Sequence, residues 1–358
     1  MSPIRVLVVD DSAVMRQVLT EILSQDGEIE VVGTASDPYN AREKILRLNP
    51  DVLTLDVEMP RMDGLTFLEK LMRAHPMPVL MVSSLTQKDC DTTVRALELG
   101  AIDYVTKPQL DVRSGTLEQA DEIVSKVKIA ARAHVRRRTA TSGRRIAAAR
   151  PAAKLPAIGF RTTHKVIAVG ASTGGTEALV RFLEPMPADS PGIVIVQHMP
   201  AGFTTSFAAR LDSVCRVRVR EAQNGDRILA GHVLLAPGNF HVEVARSGVE
   251  ISVKVFQGEP VNRHRPSVDV LFHSCAGVLG ANAVGVILTG MGADGAHGLL
   301  EMRQAGAQTI AQDEESCVVF GMPREAIELG AAEKILGLDD IPSAALQAAA
   351  LLSVPAGS

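Results

Sequence analysis

A chain of 358 residues exceeds what one hydrophobic core normally organises, and a formal net charge of −4 gives no overall pull toward nucleic acid. Hydrophobic residues at 46% and charged residues at 22% are ordinary for a soluble globular protein. No stretch has the charged flank, apolar run and small-residue cleavage site of a signal peptide, and none has the unbroken apolar length of a membrane span. The expected location is the cytoplasm, with no direct membrane insertion. Cys90, Cys215, Cys275 and Cys317 are far apart, without C-x-x-C pairing or metal-ligand spacing, and read as small buried hydrophobes in a reducing compartment.

In the first third of the chain, strand-like runs at 5–9, 30–34, 52–55, 79–82 and 104–106 alternate with helical patterns at 13–24, 38–48, 64–74, 89–98 and 117–133. This alternation predicts a doubly wound, flavodoxin-like parallel sheet, in which functional groups collect where strands end. The predicted strand ends carry Asp10 and Asp11, then Asp56, Ser83 and Lys107. Three carboxylates converging on one sheet edge repel one another unless a hard cation holds them, and oxygen ligands of this charge suit Mg2+. Asp56 can then act as a carboxylate nucleophile toward a phosphoryl group whose charge is met by the metal and by the Lys107 ammonium, with Ser83 as a hydrogen-bond donor.

The segments VLVVDDS, LDVEMPRMDGL, MVSSLT and GAIDYVTKP resemble the signature of response-regulator receiver domains, here assigned to residues 1–125. The resemblance implies Asp56 as phosphoacceptor, Asp10, Asp11 and Asp56 as Mg2+ ligands, and Ser83, Tyr104 and Lys107 as the groups that report phosphorylation. It also implies a Lys107–Pro108 bond of the kind often cis in that family.

A composition shift follows. Residues 126–163 read as a basic linker rich in Ser, Thr, Gly and Pro, with Arg136, Arg137, Arg138, Arg144, Arg145 and Arg150 clustered in it. A nucleic-acid or acidic-lipid patch and a docking segment for an acidic partner are the alternatives. No recognition helix or aromatic stacking set accompanies the arginines, in a chain with no Trp and two Tyr, so no nucleic-acid partner is expected.

The second domain is assigned to residues 164–350. It opens with KVIAVGASTGGTEAL, an apolar strand pattern, a glycine-flanked serine and a helical pattern. Small residues at 170–175 allow a sharp strand-to-helix turn that exposes the Ser172 hydroxyl, and N–H groups at the helix start, Thr173 among them, can face an anion. The same turn could instead cradle a phosphate. His198 ends the next strand pattern, PGIVIVQHMP, and Asp294 lies in TGMGADGAHGL after another apolar run at 283–288. Three loops at strand ends thus offer serine, histidine and aspartate, whose joint chemistry is an activated nucleophile, its base and the carboxylate that orients the base. The order Ser172, His198, Asp294 differs from that of α/β-hydrolases, and so does the spacing. Between His198 and Asp294, runs at 216–219, 232–236, 241–245 and 250–256 separated by turn signals predict short antiparallel strands. The second domain is therefore expected to be α/β with a mainly parallel sheet and a small antiparallel hairpin insertion. The Ala/Leu-rich 341–354 reads as a final surface helix.

VGASTGG, VIVQHMP, LLAPG, HRPSVDVLF and LTGMGADG resemble the protein-glutamate methylesterases of bacterial chemotaxis, the CheB family, across nearly the whole second domain. The resemblance implies hydrolysis of glutamate methyl esters on the cytoplasmic helices of methyl-accepting chemoreceptors, with release of methanol, and deamidation of particular receptor glutamines. It carries Ser172 as nucleophile, His198 as base, Asp294 as orienting acid and Met291 as an oxyanion-region residue, with no cofactor for the esterase chemistry. The histidine autokinase CheA is the implied phosphodonor. His264, Arg265 and His273 are candidate groove residues with structural roles as the alternative. The two-domain plan leads to the expectation that the unphosphorylated receiver packs against the face carrying Ser172, and that phosphorylated Asp56 draws in Ser83, moves Tyr104 and weakens that contact. A receiver-controlled transcription factor and a nucleotide-binding output domain are the rival readings; the first lacks a helix-turn-helix pattern and the second lacks a P-loop lysine.

Overall fold

Apolar runs of five or six residues that alternate with amphipathic helices can bury both faces of a strand only inside a parallel sheet covered by helices. The computed structural model describes residues 2–84, 86–108, 116–133 and 165–351. The chain divides into two units, 1–148 and 149–358.

The first unit runs β1 (Ile4–Val9), α1 (Ala13–Ser24), β2 (Ile29–Ala35), α2 (Pro38–Leu48), β3 (Val52–Asp56), α3 (Gly64–Ala74), β4 (Val79–Ser83), α4 (Gln87–Glu98), β5 (Asp103–Thr106) and α5 (Thr116–Arg132). Its five strands lie in the order β2-β1-β3-β4-β5, and every pair is parallel. The helices begin where a short polar side chain takes up an orphan backbone N–H: Ser12 caps α1, Asp37 caps α2 with Pro38 behind it, Asp63 caps α3 and Thr86 caps α4. Val6, Val8, Leu19, Leu80, Val82 and Val127 form part of the core between sheet and helices. α5 ends at Arg132, close to the end of the helical pattern expected at 117–133. Lys126 ties this helix to β5: its amino group donates to the Tyr104 carbonyl at 2.7 Å, lies 5.1 Å from the Tyr104 ring centroid and pairs with Asp103 and, within α5, Glu122. The six clustered arginines of the expected linker, Arg136 to Arg150, lie outside the described residues.

The second unit runs β6 (Val166–Ala171), α6 (Gly175–Leu183), β7 (Gly192–Gln197), α7 (Phe203–Val214), β8 (Arg218–Glu221), β9 (His232–Leu235), β10 (His241–Ser247), β11 (Glu250–Phe256), α8 (Val268–Leu279), β12 (Ala283–Ile287), α9 (Ala296–Gln304), β13 (Gln308–Gln312), α10 (Met322–Glu328), β14 (Lys334–Leu336) and α11 (Ile341–Leu351). Seven parallel strands lie in the order β14-β13-β12-β6-β7-β9-β8, and β10 and β11 form a separate antiparallel pair. Of the four short strands expected to be antiparallel, β8 and β9 instead extend the main sheet. Their short apolar runs fit a buried parallel edge as well as a hairpin, and turn residues alone do not separate the two. From β6 the chain moves to β7 on one side, and it later returns to β12 on the other. β6 and β12 therefore flank the topological switch point, where open α/β sheets form a crevice. The final helix α11 is not a free surface element: Ile341, Ala345, Ala348 and Ala349 are buried.

Candidate active site and phosphoacceptor site

Ser172, His198 and Asp294 follow β6, β7 and β12, three adjacent strands around that switch point. The turn at Ser172 is tighter than the sequence suggests, because β6 continues through Gly170 and Ala171 and α6 begins at Gly175. Gly170 is a packing glycine within the strand: a Cβ there would stand 2.2 Å from Val268 Cγ1 of α8. Gly174 makes the turn itself, at φ +76°. Backbone bonds join the three strand ends, Ser172 N–H donating to the Thr289 carbonyl at 3.0 Å and His198 N–H to the Ala171 carbonyl at 3.1 Å. Gln197 Nε2 donates to the Ser172 carbonyl at 2.9 Å, and Thr289 Oγ1 donates to the Thr173 carbonyl at 3.0 Å, so the turn is gripped from both sides.

His198 Nε2 lies 2.8 Å from Asp294 Oδ2. Only a protonated Nε2 can donate to a carboxylate, so this contact fixes the tautomer and makes Nδ1 the basic nitrogen. Nδ1 is buried without a hydrogen-bond partner, Ser172 Oγ included. Bonds of this kind commonly form only when substrate closes the site. Asp294 is 2% exposed and accepts from Asn262 Nδ2, Ser267 Oγ and the Val268 N–H at 2.8, 2.7 and 2.6 Å. Burial works against its charge, but the bonds from His198, Asn262 and Val268 outweigh it and hold the carboxyl well below the usual carboxylate range. Asp294 also stands at the N-terminus of α8, whose own first residue offers it a backbone N–H.

Gly290 approaches Ser172 so closely that an added Cβ would lie 2.8 Å from Ser172 Cβ, which brings the exposed Met291 beside the turn. Thr173 is buried at the start of the turn. Because the Ser172 N–H is committed to Thr289, a developing oxyanion would need donors other than the nucleophile's own amide.

In the first unit, Asp10 follows β1, Asp56 and Ser83 end β3 and β4, and Lys107 follows β5. Lys107 Nζ is 2.8 Å from Asp56 Oδ1 and 3.6 Å from Asp10 Oδ2. Burial pushes the Asp56 carboxyl up to about 6, against the pull of Lys107. Asp10 is also raised, first by burial. Asp10, Asp11 and Asp56 each offer a carboxylate oxygen within 4.8 Å of the others, and Oδ2 of both Asp10 and Asp56 is buried without a hydrogen bond, that of Asp10 having only the longer Lys107 ion pair. Carboxylate oxygens without hydrogen bonds in this arrangement fit a hard divalent cation. The Ser83 hydroxyl accepts from Thr93 Oγ1 at 2.8 Å and donates to the Ser84 carbonyl at 3.1 Å, while Tyr104 is 4% exposed. The cis peptide bond among the described residues is Arg265–Pro266, not Lys107–Pro108.

The family described as CheB methylesterase matches residues 167–345, and the response regulator receiver domain matches residues 6–114. The chain is 59% identical over 342 residues to a protein-glutamate methylesterase/protein-glutamine glutaminase of Geobacter metallireducens, covering 95% of this chain and 94% of that protein. It is also 59% identical over 344 residues to the enzyme of that name from Salmonella typhimurium, covering 95% of each. The chain belongs to the CheB methylesterase family. Among solved structures, the CheB methylesterase catalytic domain of Thermotoga maritima matches with a TM-score of 0.51 at 38% identity, covering 52% of this chain and 98% of that one.

Several residues of this CheB-family site were not singled out from the sequence. Asn262, Ser267 and Thr289 act through hydrogen bonds to Asp294 or to the serine turn, and their partners are distant in the chain. Ser267 has the residue type and position of an N-cap for α8, yet its hydroxyl turns to Asp294. Of the candidate groove residues, His264 stacks on His198 with ring centroids 3.7 Å apart. Arg265 is tied to the Gly258 carbonyl and Asn239, and His273 pairs with Glu301 on α9.

Proposed function

We propose that this protein is a phosphorylation-regulated serine hydrolase that demethylates glutamate methyl esters on chemoreceptors and deamidates particular receptor glutamines. The observation that carries the esterase reading is the His198 Nε2–Asp294 bond, which leaves Nδ1 as a free, buried base next to the strand that delivers Ser172. Ser172 Oγ attacks the ester carbonyl as its proton passes to Nδ1. Asp294 stabilises the imidazolium, and backbone donors around Thr173 and Met291 take up the oxyanion. Collapse of the tetrahedral adduct breaks the C–O bond to methanol, which leaves with the proton from Nδ1. Water then attacks the acyl-serine, its proton passes to Nδ1 and on to Ser172 Oγ, and the glutamate carboxylate departs. A glutamine side chain follows the same course with ammonia as leaving group.

The receiver supplies control. Asp56 is the proposed phosphoacceptor, with Asp10, Asp11 and Asp56 holding Mg2+, which when bound neutralises phosphoryl charge during transfer. Lys107 meets the remaining negative charge, and Ser83 exchanges its bonds with Thr93 and Ser84 for one to the phosphoryl group, with Tyr104 responding. The partners in this reading are the cytoplasmic helices of chemoreceptors and a histidine autokinase of the CheA type. The protein would accordingly work in the cytoplasm, and no described helix is long and apolar enough to cross a membrane.

One site serving two leaving groups makes a joint prediction. Methanol release from a methyl-esterified receptor fragment and ammonia release from its glutamine form should both be lost in Ser172→Ala. Retention of either reaction at the wild-type rate would remove Ser172 from it.

A further inference from the structure

A base held only by one hydrogen bond keeps a degree of freedom that the proposed reaction cannot tolerate. The Asp294 contact pins the Nε2 vertex of His198, but the ring can still tilt about that vertex and swing Nδ1 away from Ser172. A second contact removes this freedom. The His264 ring lies 3.7 Å from that of His198 with an interplanar angle of 11°, a face-to-face stack that fixes the plane of the imidazole.

His264 is itself held by an unusual piece of backbone. Val261 N–H donates to the His264 carbonyl at 3.0 Å, and His264 N–H donates to the Val261 carbonyl at 2.9 Å. Between them, Asn262 and Arg263 have φ +52° and +67°, the two left-handed residues of a type I′ turn. Such a turn favours glycine at its second central position, where Arg263 stands here. Asn262 uses its side chain as well, Nδ2 donating to Asp294 Oδ1 at 2.8 Å and to Asp269 Oδ2 at 2.7 Å. One two-residue turn therefore touches both members of the proposed dyad, holding the carboxylate through Asn262 and the imidazole through His264.

We infer that the turn 261–264 is the positioning element of this active site and that His264 is a positioning residue for His198, acting by stacking and not by proton transfer. The inference rests on the catalytic reading of Ser172, His198 and Asp294. The stack matters most where the direction of Nδ1 decides the rate, in the two proton transfers with Ser172 Oγ. Its loss should lower turnover and leave substrate affinity alone, since His264 would act on the base and not on the bound helix.

The test is steady-state methanol release by the full-length chain with a small phosphodonor, acting on a methyl-esterified chemoreceptor cytoplasmic fragment. His264→Ala should lower kcat by about 10- to 100-fold with KM within about twofold, the scale expected when a catalytic group is misaligned by an ångström or less. His264→Phe retains a ring to stack and has no proton to transfer, and should recover kcat to within about threefold of wild type. An alanine variant with wild-type kcat would overturn the inference, and so would a phenylalanine variant slower than wild type by tenfold or more. The phenylalanine variant decides the matter even if the alanine variant fails to fold. Ser172→Ala in the same assay separates the two levels, because wild-type release there would overturn the catalytic reading itself.

Discussion

Asp294 shows how one side chain can be both an electrostatic and a structural centre. It accepts from His198, Asn262, Ser267 and the first N–H of α8, and its carboxyl is held well below the ordinary range. The unfolded chain releases its Asp294 proton near pH 4, whereas the folded chain stays ionised to lower pH. The resulting stabilisation is fully present above the unfolded value and is lost as pH falls through the folded one. Acid titration of unfolding should accordingly show wild type losing stability more steeply below about pH 4 than Asp294→Asn, whose side chain has no charge to lose. Parallel curves would contradict this account of the carboxylate. At neutral pH the same substitution should reduce kcat by up to about 10⁴-fold, because the amide no longer stabilises the imidazolium or fixes the tautomer. Ser172, His198 and Asp294 could be picked out from the sequence because each sits in a glycine-rich or strand-ending segment. Asn262 could not, since an asparagine before an arginine carries no signal that its amide bridges two carboxylates.

At the scale of the element, the strand–turn–helix at Ser172 depends on glycines with separate duties. Gly170 lets α8 lie against β6, and a methyl group there would meet Val268 Cγ1 at 2.2 Å and Cγ2 at 2.9 Å. Gly170→Ala is expected to destabilise the second unit by about 1–3 kcal/mol through overpacking, seen as a lowered thermal midpoint. Gly175→Ala would press on the Gln197 amide, at 2.1 Å from Oε1, and should disturb the turn that Gln197 holds. An unchanged midpoint for Gly170→Ala would mean that α8 can shift without cost. The glycine-flanked serine and the small residues at 170–175 mark a sharp turn, and the structure has one there. Gly170 reads as part of that turn in the sequence because spacing cannot distinguish a glycine needed for backbone conformation from one needed for a neighbour's approach. The parallel sheets were legible because apolar runs such as IRVLVV, VIAVGA and GIVIVQ are buried along nearly their whole length. β8 and β9 were misjudged because only four residues each leave the partner strand undetermined.

For the whole molecule, the same architectural rule operates twice. Asp10, Asp56, Ser83 and Lys107 gather at the carboxyl edge of the first sheet, and Ser172, His198 and Asp294 gather at that of the second. In the proposed function two chemistries, phosphoryl acceptance and acyl transfer, are carried by separate units of one chain. If the unphosphorylated receiver restrains the esterase, trypsin cleavage among the arginines of the connecting segment should release a C-terminal fragment whose methanol release no longer depends on phosphodonor. A fragment that still required phosphodonor would contradict restraint by the receiver. In the proposed mechanism Ser172 performs the hydrolysis and Asp56 governs it. Its most direct test is methanol release from a methyl-esterified receptor cytoplasmic fragment by wild type, Ser172→Ala and Asp56→Asn, each with and without a small phosphodonor. Expected are stimulation by phosphodonor in wild type, basal release without stimulation in Asp56→Asn, and loss of release in Ser172→Ala under both conditions. Undiminished release by Ser172→Ala, or full stimulation of Asp56→Asn, would contradict this mechanism.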